Sequence, residues 1–167
     1  VYVSPNDAIA GSAGALITMA GHASAMAPKT AIGAASPIDS SGSDIQSTLE
    51  KKIKEILKAR VRTLTENRGT KAVKLAEAMI DDAKAVTAKE ALDAKLIDFI
   101  SDDTEDLLQS LNGFTVQMDD GSKIKLNTED VRTEGLDISF IEQLLLMLTD
   151  PNISFLLLAI GVQGILI

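Results

Sequence analysis

The sequence contains no cysteine and one histidine, His22, and these two scarcities exclude many catalytic and metal-binding chemistries. Without cysteine there is no disulfide, no thiolate nucleophile and no cysteine-ligated zinc or iron–sulfur centre. A single histidine excludes mechanisms that need two. Tryptophan is absent and tyrosine occurs once, which leaves few side chains that could stack against nucleic-acid bases.

Positive charge is scarce as well. Lys and Arg number 16 against 24 Asp and Glu, so the formal net charge is −8. A chain of this composition has no overall positive field with which to neutralise phosphates. The composition therefore predicts that nucleic acid is not a partner.

Apolar and small side chains, by contrast, are plentiful. Apolar residues make up 46% of 167 residues, enough for one domain with a core plus an appendage. Of 21 alanines, 20 precede Lys95. Because small side chains let backbones approach closely, the first part of the chain is predicted to be a tightly packed α/β layer.

Hydrophobic periodicity and turn residues predict the elements of this layer and of the sequence after it. The predicted strands cover residues 1–3 and 23–27 and a hairpin of 114–118 with 122–126. The predicted helices cover residues 12–21, apolar nearly all round and hence buried, 45–66, 72–79, 88–94 and 138–148. A capping box, Thr87 with Glu90 three residues later, marks the start of the fourth of these helices.

The C-terminal residues 153–167 carry no charge. A helix of this length is roughly 22 Å long, short of a ~30 Å hydrocarbon core, so a buried core helix is one interpretation. Asp150 and Pro151 form a helix start, and no helix stop follows. We therefore interpret the segment as the first part of a transmembrane helix, and the strand-like beginning, which has no Met, as a second cut end.

Ser12 is the candidate nucleophile, because it is predicted to follow a strand and begin a helix. There it meets the positive end of the helix dipole and N–H groups that can stabilise an oxyanion. The alternative is an ordinary N-cap, the commonest role of serine at such a position. The G-x-S-x-G pattern of hydrolases is not met, because Ala10 replaces its first glycine.

A nucleophilic serine needs a base, and His22 lies roughly 15 Å further along the same predicted helix. A neutral lysine from the 45–66 helix is the remaining common base. Lys51 lies about 160° around the helix from Ile53, on the wet face, whereas Lys52 and Lys54 lie about 100° to either side, at the edges of the apolar stripe. The helical wheel rejects Lys51 and leaves Lys52 and Lys54 open.

Metal and cofactor motifs are not recognised. The acidic pairs at 81–82, 102–103 and 119–120 are adjacent, so their side chains diverge instead of converging on an ion. EF-hand, P-loop and dinucleotide fingerprints are missing. The sequence predicts neither a metal nor a cofactor.

Several segments together resemble one family, the NfeD proteins. They are SAGALI at 12–17, MAPKTAIGAASP at 26–37, ENRG at 66–69, TAKEAL at 87–92 and DPNI at 150–153. NfeD proteins are stomatin-operon partner proteins, membrane-bound serine proteases of the ClpP/crotonase-like superfamily. The resemblance implies a ClpP/crotonase-like α/β domain, truncated at its N-terminus, followed by a β-hairpin tether and the start of a transmembrane helix.

By this resemblance Ser12 is the nucleophile, Lys52 the general base and Ala13 an oxyanion-hole donor through its backbone N–H. A second donor is expected upstream of Val1, so the fragment alone need not be active. The chain departs from the family pattern at Lys29 and Lys95, where family members usually have glycine. These departures put two turn conformations in doubt.

The resemblance further implies an endopeptidase with a Ser–Lys dyad that cleaves a stomatin- or prohibitin-like membrane protein. It implies a homodimer or larger homo-oligomer at the membrane, with the protease domain on the extracytoplasmic side. The predicted domains are residues 1–111 (protease), 112–149 (hairpin and linking helix) and 150–167 (membrane helix).

Two further expectations and two rival functions complete this interpretation. A polar loop at 39–44 is predicted to be mobile and to border the substrate cleft, and Leu49 and Ile56 are predicted to bury the Lys52 amine. One rival function is a catalytically inactive scaffold that keeps the fold and binds stomatin-like proteins. The other is a crotonase-like acyl-CoA enzyme.

Overall fold

The computed structural model describes residues 1–38, 47–118, 120–135, 138–150, 153, 155, 157 and 158. The chain divides into two compact units, Val1–Val131 and Arg132–Ile167. The strands are β1 (Tyr2–Val3), β2 (Ile9–Gly11), β3 (Ala25–Met26), β4 (Ala31–Gly33), β5 (Ala85–Thr87), β6 (Phe99–Ile100), β7 (Thr115–Gln117) and β8 (Lys123–Lys125). The helices are α1 (Ala13–Met19), α2 (Ser47–Thr65), α3 (Thr70–Asp81), α4 (Ala88–Asp93), α5 (Thr104–Leu111) and α6 (Phe140–Thr149), with a 3₁₀ turn at Glu66–Arg68.

The first unit is built on two three-stranded sheets that the chain visits in turn. One sheet has the order β1-β3-β6 and is parallel throughout. The other has the order β2-β4-β5, with β2 and β4 parallel and β5 antiparallel to β4. Parallel neighbours need crossover connections. Helix α1 lies in the connection from β2 to β4, and α2 lies in the connection from β3 to β6. The predicted α/β class is therefore confirmed.

The core of this unit alternates alanines with long, flexible or branched side chains. Ala15, Ala72, Ala76 and Ala91 are fully buried. The large side chains fully buried around them are Met26, Ile32, Met79, Ile80, Leu96 and Val61. Small residues on α1, α3 and α4 thus allow close packing at native density, as the alanine distribution predicted.

Most predicted elements are present, with one correction for α1. The helix is shorter than the predicted 12–21, and it is not buried all round, because Ile17 is 61% exposed. The capping box of Thr87 and Glu90 is confirmed: the Thr87 hydroxyl accepts the N–H of Glu90, and the Glu90 carboxylate accepts the N–H of Thr87.

Two lysines adopt the left-handed backbone conformation that favours glycine. Lys29 has φ 62° and Lys95 has φ 61°. These are the two positions at which the chain departs from the family pattern. Both turns keep the glycine-type conformation, at a cost of roughly 1 kcal/mol for each side chain that replaces a hydrogen.

The hairpin predicted at 114–118 and 122–126 is confirmed as antiparallel β7 and β8. It belongs to the first unit, where the rings of Phe114 and Phe99 meet edge to face at 4.9 Å between centroids. The Thr128 hydroxyl also donates to the Leu108 carbonyl on α5. The predicted domain boundary at residue 111 stays a prediction.

The second unit is described through α6 and the residues beside it. Ser139 and Glu142 form a capping box at the start of α6, whose described side chains are exposed. Asp150 accepts the N–H of Ile153 at 3.4 Å, as expected of the predicted cap. Among the residues described, no helix is long and apolar enough to cross a bilayer, and most of the 153–167 segment lies outside them.

Candidate active site

Ser12 occupies the one-residue turn between β2 and α1, and its backbone is strained. Its φ is 51° and its ψ is −118°, a region that non-glycine residues rarely adopt. Such a conformation costs about 1–3 kcal/mol and persists only where the surroundings enforce it. The strain presents an exposed side chain at the point where a strand becomes a helix.

The Ser12 hydroxyl does not cap α1. It bonds none of the described N–H groups of that helix, which contradicts the N-cap alternative. Three other helices, α4, α5 and α6, do have a side chain that accepts an N–H of their first turn. Their capping side chains are those of Thr87, Asp103 and Ser139. Because Ser12 has the wrong backbone conformation for this bond, its oxygen stays available for other chemistry.

The backbone of Ser12 is held by the neighbouring strand. Its N–H donates to the carbonyl of Gly33 at 3.0 Å, which continues the β2–β4 pairing by one residue. Gly33 has φ 134°, and a Cβ there would lie 2.2 Å from the Lys84 carbonyl oxygen. Only glycine fits. Sequence reasoning missed this support, although Gly33 lies within the MAPKTAIGAASP segment.

The first turn of α1 offers a backbone donor beside Ser12. The N–H of Ala15 is bound to the Ser12 carbonyl, whereas that of Ala13 meets no acceptor among the described residues. Helix N-terminal N–H groups lack intrahelical partners and carry the positive end of the dipole. Ala13 is exposed, and its role as an oxyanion donor stays a prediction of the resemblance.

The structure separates the two lysines that the helical wheel left open. The Lys54 amine lies 2.7 Å from a Glu50 carboxylate oxygen and donates to the Asp81 carbonyl at 3.0 Å. The hydrogen bond with Glu50 raises the pKa of Lys54 above its ordinary value. An ion pair that favours the charged form of Lys54 argues against Lys54 as the base.

Lys52 is exposed, and no described residue forms a hydrogen bond or ion pair with its amine. The prediction that Leu49 and Ile56 would bury it is wrong for the free protein, because these side chains are 52% and 69% exposed. The apolar stripe of α2 is wider than the part of the helix surface that packs against α3, and we call this part the α3-facing sector. Val61 is buried in that sector, while Leu49 and Ile56 lie beyond its edge, next to Lys52.

The far ends of α1 and α2 are tied together by Arg68, which ends the ENRG segment's 3₁₀ turn. Its guanidinium lies 3.1 Å from an Asp98 carboxylate oxygen and donates to the carbonyl of Gly21 at 3.0 Å. Asp98 also accepts the N–H of Ser24 at 2.8 Å. The pair is largely buried, with side chains 12% and 21% exposed, so it fixes this end of the site firmly.

The remaining predictions concern His22, the polar loop and metals. His22 follows α1 after its C-cap Ala20, at the opposite end from Ser12, which agrees with its exclusion as a base. The predicted loop at 39–44 lies outside the described residues. In the part of the chain that the structure describes, no group of three potential ligands could hold a metal ion.

Comparison with known proteins provides relatives for this arrangement. No protein-family model matches the chain. The membrane-bound protease PH1510 of Pyrococcus horikoshii is 34% identical over 171 residues. The alignment covers 100% of this chain and 38% of the relative, so the chain spans little more than a third of that protein.

Solved structures of a 1510-N membrane-bound stomatin-specific protease share the fold. A variant with one lysine replaced by alanine, in complex with a substrate peptide, matches at TM-score 0.74 with 31% identity, over 86% of this chain and 66% of its own. A variant with one serine replaced by alanine matches at 0.72 with 32% identity, over 83% and 67%. A third structure, a protease specific for a stomatin homolog from Pyrococcus horikoshii, matches at 0.68 with 28% identity, over 89% and 66%.

Proposed function

This chain belongs to the NfeD family of membrane-bound serine proteases, and from this premise we propose that it is an endopeptidase that cleaves a membrane partner of the stomatin/prohibitin type. The names of its relatives support the reaction class and the kind of substrate. The solved relatives altered at one serine and at one lysine support a Ser–Lys dyad.

The observation that carries the proposal is the strained, uncapped Ser12. A serine that costs the fold free energy and contributes no helix cap is retained for its exposed oxygen. The same strand-to-helix strain is used by hydrolases to expose a nucleophile, even though their G-x-S-x-G pattern is not met. We assign Ser12 as nucleophile, Lys52 as base and the Ala13 N–H as oxyanion donor.

In the proposed reaction the Ser12 oxygen attacks the scissile carbonyl carbon and its proton passes to the Lys52 amine. The negative charge on the carbonyl oxygen is stabilised by the Ala13 N–H. Collapse breaks the peptide bond, and the leaving amine takes the proton from Lys52. Water then attacks the acyl-enzyme and gives a proton to Lys52. As the ester bond breaks, Lys52 returns this proton to the Ser12 oxygen, which regenerates the free enzyme.

The substrate completes the base in this mechanism. Lys52 is uncovered in the free protein, and a base must be neutral to take a proton. The elements that carry the two members of the dyad also carry exposed apolar side chains, Leu49 and Ile56 on α2, Ile9 on β2 and Ile17 on α1. An apolar substrate segment that packs on them removes water from the amine, so binding and activation are coupled.

The finer architecture follows the same family assignment. We propose a ClpP/crotonase-like protease domain at residues 1–111, a tether at 112–149 and the start of a transmembrane helix at 150–167. The protease domain lies on the extracytoplasmic side, and the protein forms a homodimer or a larger homo-oligomer. The Asp150 cap on Ile153 supports a helix start at that point.

A fluorophosphonate probe tests the nucleophile directly, since it labels only an activated serine. The native protein should be labelled and should cleave a peptide from the C-terminus of a stomatin. Ser12→Ala should abolish both, while Ser122→Ala, at an exposed serine of the hairpin turn, should change neither. Undiminished labelling of Ser12→Ala would overturn the assignment.

The exposed Lys52 favours one second candidate, a scaffold that binds stomatin-like proteins without cleaving them. A scaffold needs the apolar faces but not a neutral amine. It predicts that Ser12→Ala and Lys52→Ala bind the partner as the parent does, and that the parent leaves the partner intact.

A further inference from the structure

Both segments that carry the proposed dyad are attached to the same short piece of chain. This piece is the α3 corner, residues 79–85, which comprises the end of α3, the turn after it and the start of β5. It contains neither Ser12 nor Lys52, and no step of the proposed reaction uses it. Its contacts nevertheless extend to both.

The serine side is attached through the backbone that follows β4. The N–H of Ala34 donates to the Lys84 carbonyl at 2.9 Å, and the N–H of Ala35 donates to the Met79 carbonyl at 2.9 Å. Gly33, one residue earlier, binds the N–H of Ser12 and packs against the same Lys84 carbonyl. Two hydrogen bonds therefore fix residues 34 and 35 to the corner, and a third, from Ser12 to Gly33, links this backbone to the proposed nucleophile.

The lysine side is attached through side chains of α2. The Lys54 amine donates to the main-chain carbonyl of Asp81 at 3.0 Å, and the Lys58 amine lies 2.9 Å from the Asp81 carboxylate. Glu50, one turn before Lys54, holds the same amine at 2.7 Å. These bonds bracket Lys52, which lies two residues before Lys54.

We propose that Lys54 is a positioning residue for the dyad. By binding the Asp81 carbonyl it sets the N-terminal half of α2 in register with the corner, and therefore with Ser12. The C-terminal half of α2 does not need this bond, because Val61 is buried and Arg68 anchors the following turn. The proposal rests on the proposed function, since it gives Lys54 a task only if Lys52 must meet Ser12.

The test compares Lys54→Met, which keeps most of the length of the side chain and removes the donor, with Lys51→Met on the wet face of the same helix. Lys54→Met should lower kcat for an apolar peptide by about 100-fold, the effect expected of a misplacement of about 1 Å, with KM changed less than about threefold. Lys51→Met should leave both constants unchanged. Lys54→Arg, which still donates to a carbonyl, should restore most of kcat.

Hydrogen exchange of the backbone provides a measurement that does not depend on activity. Lys54→Met should speed exchange across residues 47–58 and leave 61–65 protected. Unchanged exchange there, or a kcat equal to that of Lys51→Met, would overturn the positioning role while leaving the protease intact. A parent protein that neither cleaves nor labels at Ser12 would instead overturn the proposed function and the catalytic part of this inference with it.

Discussion

The two ends of the proposed dyad differ in how firmly the protein holds them. Ser12 is fixed by a strand bond to Gly33, which itself has no room to move. Lys52 lies on an open helix face, with exposed Leu49 and Ile56 beside it. If the proposed roles hold, the comparison teaches that Ser12 and the Ala13 N–H are organised before substrate arrives, whereas the surroundings of Lys52 are completed by what binds.

This division of labour follows from the chemistry of the two groups. An oxyanion donor stabilises the transition state only if it is oriented beforehand, so a rigid support is useful. In the proposed mechanism the substrate supplies the apolar surroundings of the base, so the catalytic pair is complete only when the correct segment binds. An open face at Lys52 thus contributes to specificity as well as to activation.

The largest effect is expected from Gly33→Ala, which disrupts the rigid support of Ser12. The new Cβ would overlap the Lys84 carbonyl oxygen, and alanine disfavours a φ of 134°. The free energy of unfolding should fall by roughly 4 kcal/mol, measured by urea denaturation. Gly121→Ala is the matched control, because its φ is 81° and nothing lies within 4 Å, so it should cost only about 1 kcal/mol. Equal losses in the two variants would show that Ser12 is not held through a tight contact at Gly33.

The next effect is expected from a substitution of Lys52, on the open face of α2, that leaves the fold undisturbed. Lys52→Arg keeps the charge but cannot lose a proton, so peptide cleavage should fall by about 1000-fold or more while the melting temperature stays the same. The double variant with Ser12→Ala should be no slower than either single variant, because the two residues act as a unit. Lys51→Arg should retain its activity. Substantial turnover by Lys52→Arg would require a different base.

A smaller effect is expected from a substitution that relieves the backbone strain at Ser12. Ser12→Gly should raise the free energy of unfolding by about 1 kcal/mol, because glycine accepts a φ of 51° without steric cost. Fluorophosphonate labelling should be lost at the same time. Ser12→Ala keeps the strain and should show the second change without the first. A Ser12→Gly variant no more stable than Ser12→Ala would mean that the turn is not strained.

The smallest effect is a change of stability with pH that depends on Lys54, which holds the part of α2 that carries Lys52. Interaction with Glu50 raises the pKa of Lys54 above its ordinary 10.5, so this contribution to stability is complete below that pH and is lost as pH rises through the folded-state pKa. Thermal unfolding from pH 9 upward should therefore show parent and Lys54→Met converging at the alkaline end. A difference in melting temperature that stays constant with pH would exclude a role for the charge.

Local patterns in the sequence were sufficient to predict the elements whose signals are local. The 3.6-residue period predicted α2, the Thr87–Glu90 box predicted the start of α4, and the alternation around a glycine turn predicted β7 and β8. Strands β5 and β6 have three and two residues, too few for a period to appear, and unlike β7 and β8 they are not joined to each other by a hairpin turn that would mark them. They form because neighbouring strands complete their hydrogen bonds, and this is not visible in the sequence of either strand.

The site was predictable only as a set of candidates. Ser12 could be identified as the beginning of a helix, but its backbone strain depends on the pairing of β2 with β4. The choice between Lys52 and Lys54 needed the contact of Lys54 with Asp81, which is 27 residues away along the chain. The exposure of Leu49 was misjudged for the same reason, since a helical wheel shows the width of a stripe but not which part of it meets a neighbouring helix.

The uncapped start of α1 has a thermodynamic consequence. A helix without a side-chain cap retains free N–H groups, and a negatively charged tetrahedral adduct at Ser12 would bond to one of them as a cap does. The transition state and the fold therefore stabilise each other by linkage. A peptide boronate that forms this adduct should protect the protein against heat more than a peptide of equal affinity without the charged oxygen does.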